Sequence, residues 1–307
     1  MTYLKILIYV LATFLATSTL VFAHDDDDDE EEVEIPLEEA ELFFELNDTD
    51  GDLGIHGFAD GDAWKELEIE GPNGRELMEI DVKSKLKRQG VTELFFESAE
   101  PCFRFDAEEC QKPLDPAKFF KRFPEGVYKI EVELLDGDEL ESEVYLSHVM
   151  PAAPGPDGTK VNNVDAAVNC DADLKIVDPA GGVTISWDAV TMSHATLPPG
   201  SAIVDIADDV RYYEVVVEID ESDFNQTAII PPAEDGEDNE WTFSEDFFEL
   251  AEEGVLESDD EVECEGPVNG DKCFAEYKYE ILVRVNNKDD NPGNKSAMES
   301  CFLVEIK

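Results

Sequence analysis

The sharpest local motif in the sequence is Asn47-Asp48-Thr49-Asp50-Gly51-Asp52-Leu53-Gly54-Ile55. Asp48, Asp50 and Asp52 stand at alternate positions around a glycine, a spacing at which carboxylate oxygens can wrap one calcium ion. They fit the first ligand positions of a helix–loop–helix calcium loop. Leu53, however, replaces its turn glycine, Ala59 replaces its bidentate glutamate, and the flanks read as strands. An EF-hand is therefore excluded. Two readings stay open: a looser calcium loop, or a turn that uses Asn, Asp and Gly for backbone geometry alone.

Asp60-Gly61-Asp62 reads as a second acidic turn. A strand from Leu53 to Phe58 would hold the two turns roughly 20 Å apart, too far to share an ion. His56 falls inside that strand, opposite Leu53 and Ile55, and is expected to be structural. His24 offers different chemistry: cleavage after Ala23 would expose its amine and imidazole together to copper. This resembles the histidine brace of lytic polysaccharide monooxygenases and implies copper-dependent oxidation. In that family the terminal histidine opens a packed strand, whereas His24 leads into a run of acids, and a site must be rigid to hold its geometry. None of the other histidines, His56, His148 and His194, has a recognisable setting for the second arm.

Other catalytic patterns are missing. The chain has no GxSxG, no HExxH and no glycine-rich phosphate loop. With 76 Asp and Glu against 22 Lys and Arg, the formal charge is -54, so no acidic pair can be singled out as a glycosidase couple. The same charge excludes nucleic-acid binding through phosphates. Trp241, Phe243, Phe247, Phe248 and Leu250 could form a platform for sugars, but an apolar stretch before a strand is better read as core or as a short helix capped by Ser244. Asn47, Asn225 and Asn294 each open an N-glycosylation sequon.

The elements that must position these groups follow from patterning. Lys5, the apolar run Ile6 to Leu20 and Val21-Phe22-Ala23 read as a secretory signal peptide over 1–23, so the protein is expected to be secreted, periplasmic or extracellular, with no membrane span in the mature chain. Residues 24–33 form an acidic, solvated tail. Alternation then marks strands: Leu42, Phe44 and Leu46; Leu67 and Ile69; Met78, Ile80 and Val82; and a hairpin from Tyr128-Ile130-Val132-Leu134 to Val144 and Leu146 through Asp136-Gly137, a pair suited to a type I′ turn. Pro151-Ala-Ala-Pro154-Gly-Pro156 reads as a linker over 151–156, between a β-sandwich at 34–150 and a second domain at 157–307. In the latter, Val183-Ile185-Trp187, Tyr213 to Ile219, Tyr279 to Val285 and Phe302-Val304-Ile306 alternate inward. The fold class is all-β: two β-sandwiches in tandem.

Six cysteines, all in the exported part, favour three disulfides. The expected pairs are Cys102 with Cys110, Cys264 with Cys273 around a short loop, and Cys170 with Cys301 tying the first strand of the second domain to its last. No CxxC spacing supports a zinc site.

Val183-Thr-Ile-Ser-Trp187 followed by Asp188-Ala-Val190 resembles the second strand of the fibronectin type III modules, with its core tryptophan. Tyr279-Glu-Ile-Leu-Val-Arg-Val285 resembles their sixth strand with its corner tyrosine, and Gly293-Asn-Lys-Ser296 the turn before the last strand. The resemblance covers 157–307, with extensions at 195–209 and 234–240 and an acidic insertion between Glu249 and Ala275. The first domain resembles an immunoglobulin-like sandwich only at its closing hairpin. The resemblance implies an immunoglobulin-like β-sandwich and a role in adhesion or spacing, and it names no ligand. The expected function is a non-enzymatic binding, adhesion or matrix protein, calcium-associated through Asp48, Asp50 and Asp52, with an extracellular protein or polysaccharide as partner. Carbohydrate binding and copper oxidation at His24 are the alternatives.

Overall fold

Nineteen residues in one strand, β2 (Asp52–Glu70), organise the first half of the chain in the computed structural model, which describes residues 35–103, 113–219, 224–234, 237–257, 273–288 and 291–306. The signal peptide, the acidic tail and His24 lie outside the described residues. β1 (Glu39–Asn47) pairs antiparallel with the start of β2, from Asn47 opposite Asp52 to Glu39 opposite Asp60. β3 (Glu76–Asp81), β4 (Val91–Glu97), β5 (Gly126–Leu134) and β6 (Glu139–Leu146) follow. The first part of β2 lies between β1 and β4, and its second part between β3 and β5.

Asp60-Gly61-Asp62 is thus not a turn. β2 runs straight through it, with only a shift of register between Asp60 and Trp64 against β4. Gly61 is buried, and a Cβ there would come within 3.1 Å of Leu140, so the glycine answers a close approach between strands. The β5–β6 turn also differs from expectation. Gly137 N donates to Leu134 O and Leu134 N to Asp138 O, and Gly137 alone of the loop has positive φ, at 101°. This is a three-residue loop with a glycine bulge and not a type I′ turn.

The first core gathers Leu42, Phe44, Leu46, Leu67, Ile130 and Val132, residues whose alternation marks the strands, together with Leu53 and Trp64 of β2. Helix α1 (Pro116–Arg122) closes it. Asp115 caps the helix by accepting from Ala117 N at 3.1 Å, and Pro116 presets its first turn. Phe119 and Phe120 of α1 both pack on Phe44, with ring centroids 5.3 Å away. Tyr128, at the start of β5, donates its hydroxyl hydrogen to Pro124 O at 3.0 Å, which pins the corner.

The second half contains β7 (Lys160–Val161), β8 (Val164–Asp165), β9 (Ile176–Val177), β10 (Val183–Trp187), β11 (Val210–Ile219), β12 (Asn225–Ile230), β13 (Asn239–Phe243), helix α2 (Glu245–Glu257), β14 (Cys273–Asn286) and β15 (Pro292–Ile306). Two sheets, ordered β13-β10-β7-β8 and β12-β11-β14-β15, face one another across a core of Val183, Ile185, Trp187, Tyr213, Val215, Val217, Tyr279, Ile281, Val283 and Phe302. This is a fibronectin type III-like sandwich in which β10 and β14 take the places expected of the second and sixth strands. The tyrosine bonded to the loop after β10 is Tyr213, whose hydroxyl accepts from Val190 N at 2.9 Å, while Tyr279 stays in the core. Gly293 to Ser296 belong to β15 and not to a turn before it; ahead of the strand Asn287 N donates to Asn291 O at 2.6 Å. Phe247 and Phe248 are buried on α2, where Ser244 Oγ accepts from Phe247 N, so they are core and not a sugar platform.

The halves share one sheet. β1 runs parallel to β15, with Glu45, Leu46 and Asn47 opposite Lys295, Ser296 and Ala297, and β9 takes the same edge of β15 further along, at Leu303 and Val304. The strand order is therefore continuous from β12 through β15 and β1 to β6. The proline-bearing segment 151–156 is bound to this seam: Ser296 Oγ donates to Pro151 O at 2.7 Å, and Ala152 N to Met192 O. The loop between β10 and β11 crosses back to the first half, where Leu197, 3% exposed, joins its core.

Candidate functional site

The turn joining β1 to β2 is built by its own side chains. Asn47 Oδ1 accepts from Thr49 N at 3.0 Å and Asp50 N at 3.3 Å, and Gly51 N donates to Asn47 O with Gly51 at φ 75°, a conformation a side chain would strain. The turn lies against β15 of the second half. Asp48 N donates to Ala297 O at 2.9 Å, Thr49 Oγ1 donates to Glu299 O at 3.2 Å, and Glu299 N donates back to Thr49 Oγ1 at 2.8 Å.

The three aspartates point to different partners. Asp48 Oδ1 is 3.4 Å from His194 Nε2; Nδ1 of that ring accepts from Leu197 N, which leaves the proton on Nε2 to donate to the carboxylate. Asp50 Oδ2 accepts from Asn47 Nδ2 at 3.3 Å. Asp52 turns inward, with Oδ1 enclosed and no hydrogen-bond donor on it. Burial, then the charges of Glu100 and Asp50, push its carboxyl up to about 7. Among the described residues, the one group of three His, Cys, Asp or Glu with ligand atoms within 4.8 Å of one another is Cys170, Cys301 and Glu276, and its two sulfurs are joined as a disulfide.

Further acids, not singled out in the sequence, complete this face. Glu100 accepts from His56 Nε2 at 2.8 Å and folds over Gly54, where a Cβ would come within 2.5 Å of its carboxylate. Glu299 is raised by burial and by Asp50, against the pull of Lys278. Next to it Glu280 is pushed up to about 7 by burial, then by Glu45 and Glu299, partly offset by Lys278. Only the cross-strand register brings these residues together, Glu280 opposite Glu299 and Glu45 opposite Lys295.

The described histidines all serve the fold. His56 is buried, stacks on Phe43 at 5.4 Å and bonds Glu100; His148 bonds Phe123 O at 2.7 Å; His194 clamps the turn. Of the sequon asparagines, Asn294 is 1% exposed and held by Phe44 N, Ser147 O and Val149 O, Asn47 organises the turn, and Asn225 lies exposed on β12.

Cys170 and Cys301 form the expected disulfide, 131 residues apart in sequence. Cys102 and Cys273 are each disulfide-bonded, and their expected partners Cys110 and Cys264 lie outside the described residues.

Fold and seam together define an all-β protein whose second half is a fibronectin type III-like sandwich. Among solved structures the chain is similar to the FN1–FN3 domains of chicken CNTN1, with 10% identity, a TM-score of 0.28 and coverage of 88% of this chain and 69% of that one. It is also similar to a structure from a 1.5-MDa bacterial ice-binding adhesin (11% identity, TM-score 0.21, 88% and 66% covered) and to fibronectin(III)-like modules of Clostridium thermocellum CbhA (11%, 0.20, 87% and 95%). At such identities and TM-scores these likenesses bear on neither partner nor activity, and the sandwich assignment stands on the strand order. No family model and no curated protein matches the sequence.

Proposed function

We propose that the protein is a secreted, non-catalytic binding or adhesion module, periplasmic or extracellular, whose partner is an extracellular protein or polysaccharide and whose two halves are fastened by calcium at the turn of Asp48, Asp50 and Asp52. The observation behind this reading is the position of the turn: it bridges the seam, bonded to Ala297, Glu299 and His194 of the second half. With Asp48 turned to His194, a cation there would be shared by Asp50 and Asp52 with Glu100 beside them. It would offset the repulsion these acids now experience and stiffen the seam. Without a bidentate glutamate in the loop, affinity in the range of about 0.1–1 mM is expected. The Cys170–Cys301 disulfide supports an oxidising compartment, and no helix among the described residues is long and apolar enough to cross a membrane.

Thermal melts test the calcium role. Calcium is expected to raise the melting temperature saturably and more than magnesium does, and Asp50→Ala with Asp52→Ala to abolish the difference. An unchanged calcium response in that double variant, or equal responses to the two ions, retires the site and leaves diffuse counterion binding. Glycan and matrix-protein arrays probed with and without calcium separate polysaccharide from protein capture.

A further inference from the structure

The outermost strand of the shared sheet, β12, pairs with β11 along one edge and has no described strand along the other. Open edges are usually blunted by charge, proline, bulges or a cover, because their free N–H and C=O groups recruit further strands. Among the described residues the other edges, apart from the two-residue β9 (Ile176–Val177), carry charge: Glu139, Glu141 and Glu143 on β6, Glu93 and Glu97 on β4, Glu76, Glu79 and Asp81 on β3, Glu240 on β13 and Asp165 on β8. β12 does not. Its sequence, Asn225-Gln-Thr-Ala-Ile-Ile230, has no charge in a chain that is 32% charged, and its six pairs with β11 run without a bulge. Thr227 and Ile229 face solvent, and Ile229, at 64%, is the most exposed of the described large hydrophobic residues.

Backbone groups in a row recognise another backbone, so the occupant of this edge is an extended strand. Which strand it takes is set by charge. Like charges directly opposite destabilise a sheet, and two copies meeting through β6, β4 or β3 would place carboxylates against carboxylates. β12 against a second β12 opposes none. We propose that β12 is a homodimer edge: two copies pair β12 to β12 antiparallel about a two-fold axis, so that one sheet runs through both molecules. The interface is closed by its symmetry, which limits assembly to two copies. It is small, and each chain carries a formal charge of -54, so repulsion opposes it until salt screens the bodies around the neutral strands.

Sedimentation equilibrium of the protein purified after export, in about 0.05 M and about 1 M salt, reads this directly, because the screening length falls to about 3 Å at the higher value. The weight-average mass is expected to rise toward about twice the monomer in high salt. Thr227→Glu with Ile229→Glu is expected to hold it at monomer in both conditions. Val164→Glu with Val168→Glu, which adds the same charge at other exposed positions, is expected to associate like the unmodified protein. Amide hydrogen exchange is expected to slow in Gln226 to Ile230 in high salt. A chain that stays monomeric in high salt, a dimer that survives the β12 substitutions, loss of association in the control variant, or a dimer without added protection in β12 each overturns the proposal.

Discussion

Arg284 of β14 reaches over β15 to Glu41 of β1, Nη2 to Oε2 at 2.7 Å, with the two side chains 8% and 10% exposed. The guanidinium also donates to Gly293 O and to the Tyr212 hydroxyl, and it lies 4.5 Å from the centre of the Phe43 ring. Both charges are therefore out of water, and each depends on the other.

Breaking such a pair leaves an uncompensated buried charge, which costs about 3–5 kcal/mol, whereas replacing both partners with apolar residues of similar volume is often close to neutral. Glu41→Ala is expected to lower stability by that amount in urea unfolding. Glu41→Leu combined with Arg284→Met is expected to recover most of the loss. A Glu41→Ala protein as stable as the parent would show that the pair contributes nothing.

Asp52 and Glu280 both have folded-state pKa values raised from the ordinary carboxylate range to about 7. The folded state binds their protons more tightly than the unfolded chain does. Their contribution to stability is complete below the unfolded pKa values and is lost as pH rises through about 7. Melting temperature is expected to fall between pH 5 and pH 8. Glu280→Gln should flatten that slope by about 2 kcal/mol, and Asp52→Asn by about 1 kcal/mol, discounted because Asp52 is partly solvated. A slope unchanged in both variants would place the pH dependence elsewhere on the acidic surface.

Leu197 lies on the β10–β11 loop of the second half yet is buried in the core of the first. Leu197→Ala is expected to cost about 2–5 kcal/mol through the lost transfer energy and the cavity left behind. Because the residue belongs to the seam, exchange protection should fall in β1 and α1 more than in β11 and β12. Equal loss everywhere would mean that the halves unfold as one.

What a reader could extract from the sequence was local. Phe44, Trp187 and Val215 announce their strands because alternation has a period of two residues and needs no knowledge of the partner strand. Ser244 before Phe247 and Phe248 announces a capped helix in the same way. Asp60-Gly61-Asp62 misleads because a glycine that relieves a close approach to Leu140 has the same composition as a turn. Glu100, Glu299 and Leu197 reach the turn or its core only through register and loop crossing. No window of sequence around Asp48 contains them. Among 76 acids nothing distinguishes Glu280 until burial raises its pKa.

The parallel pairing of β1 with β15 also fixes how the molecule carries load. The amino end of β1 and the carboxyl end of β15 emerge at opposite ends of two strands that run side by side, through Glu45 to Asn47 and Lys295 to Ala297. Tension between them acts lengthwise along both strands, so their cross-strand hydrogen bonds are sheared together and not peeled one after another. β2 backs β1 and β14 backs β15, so slip at the seam is resisted by the ladders on either side.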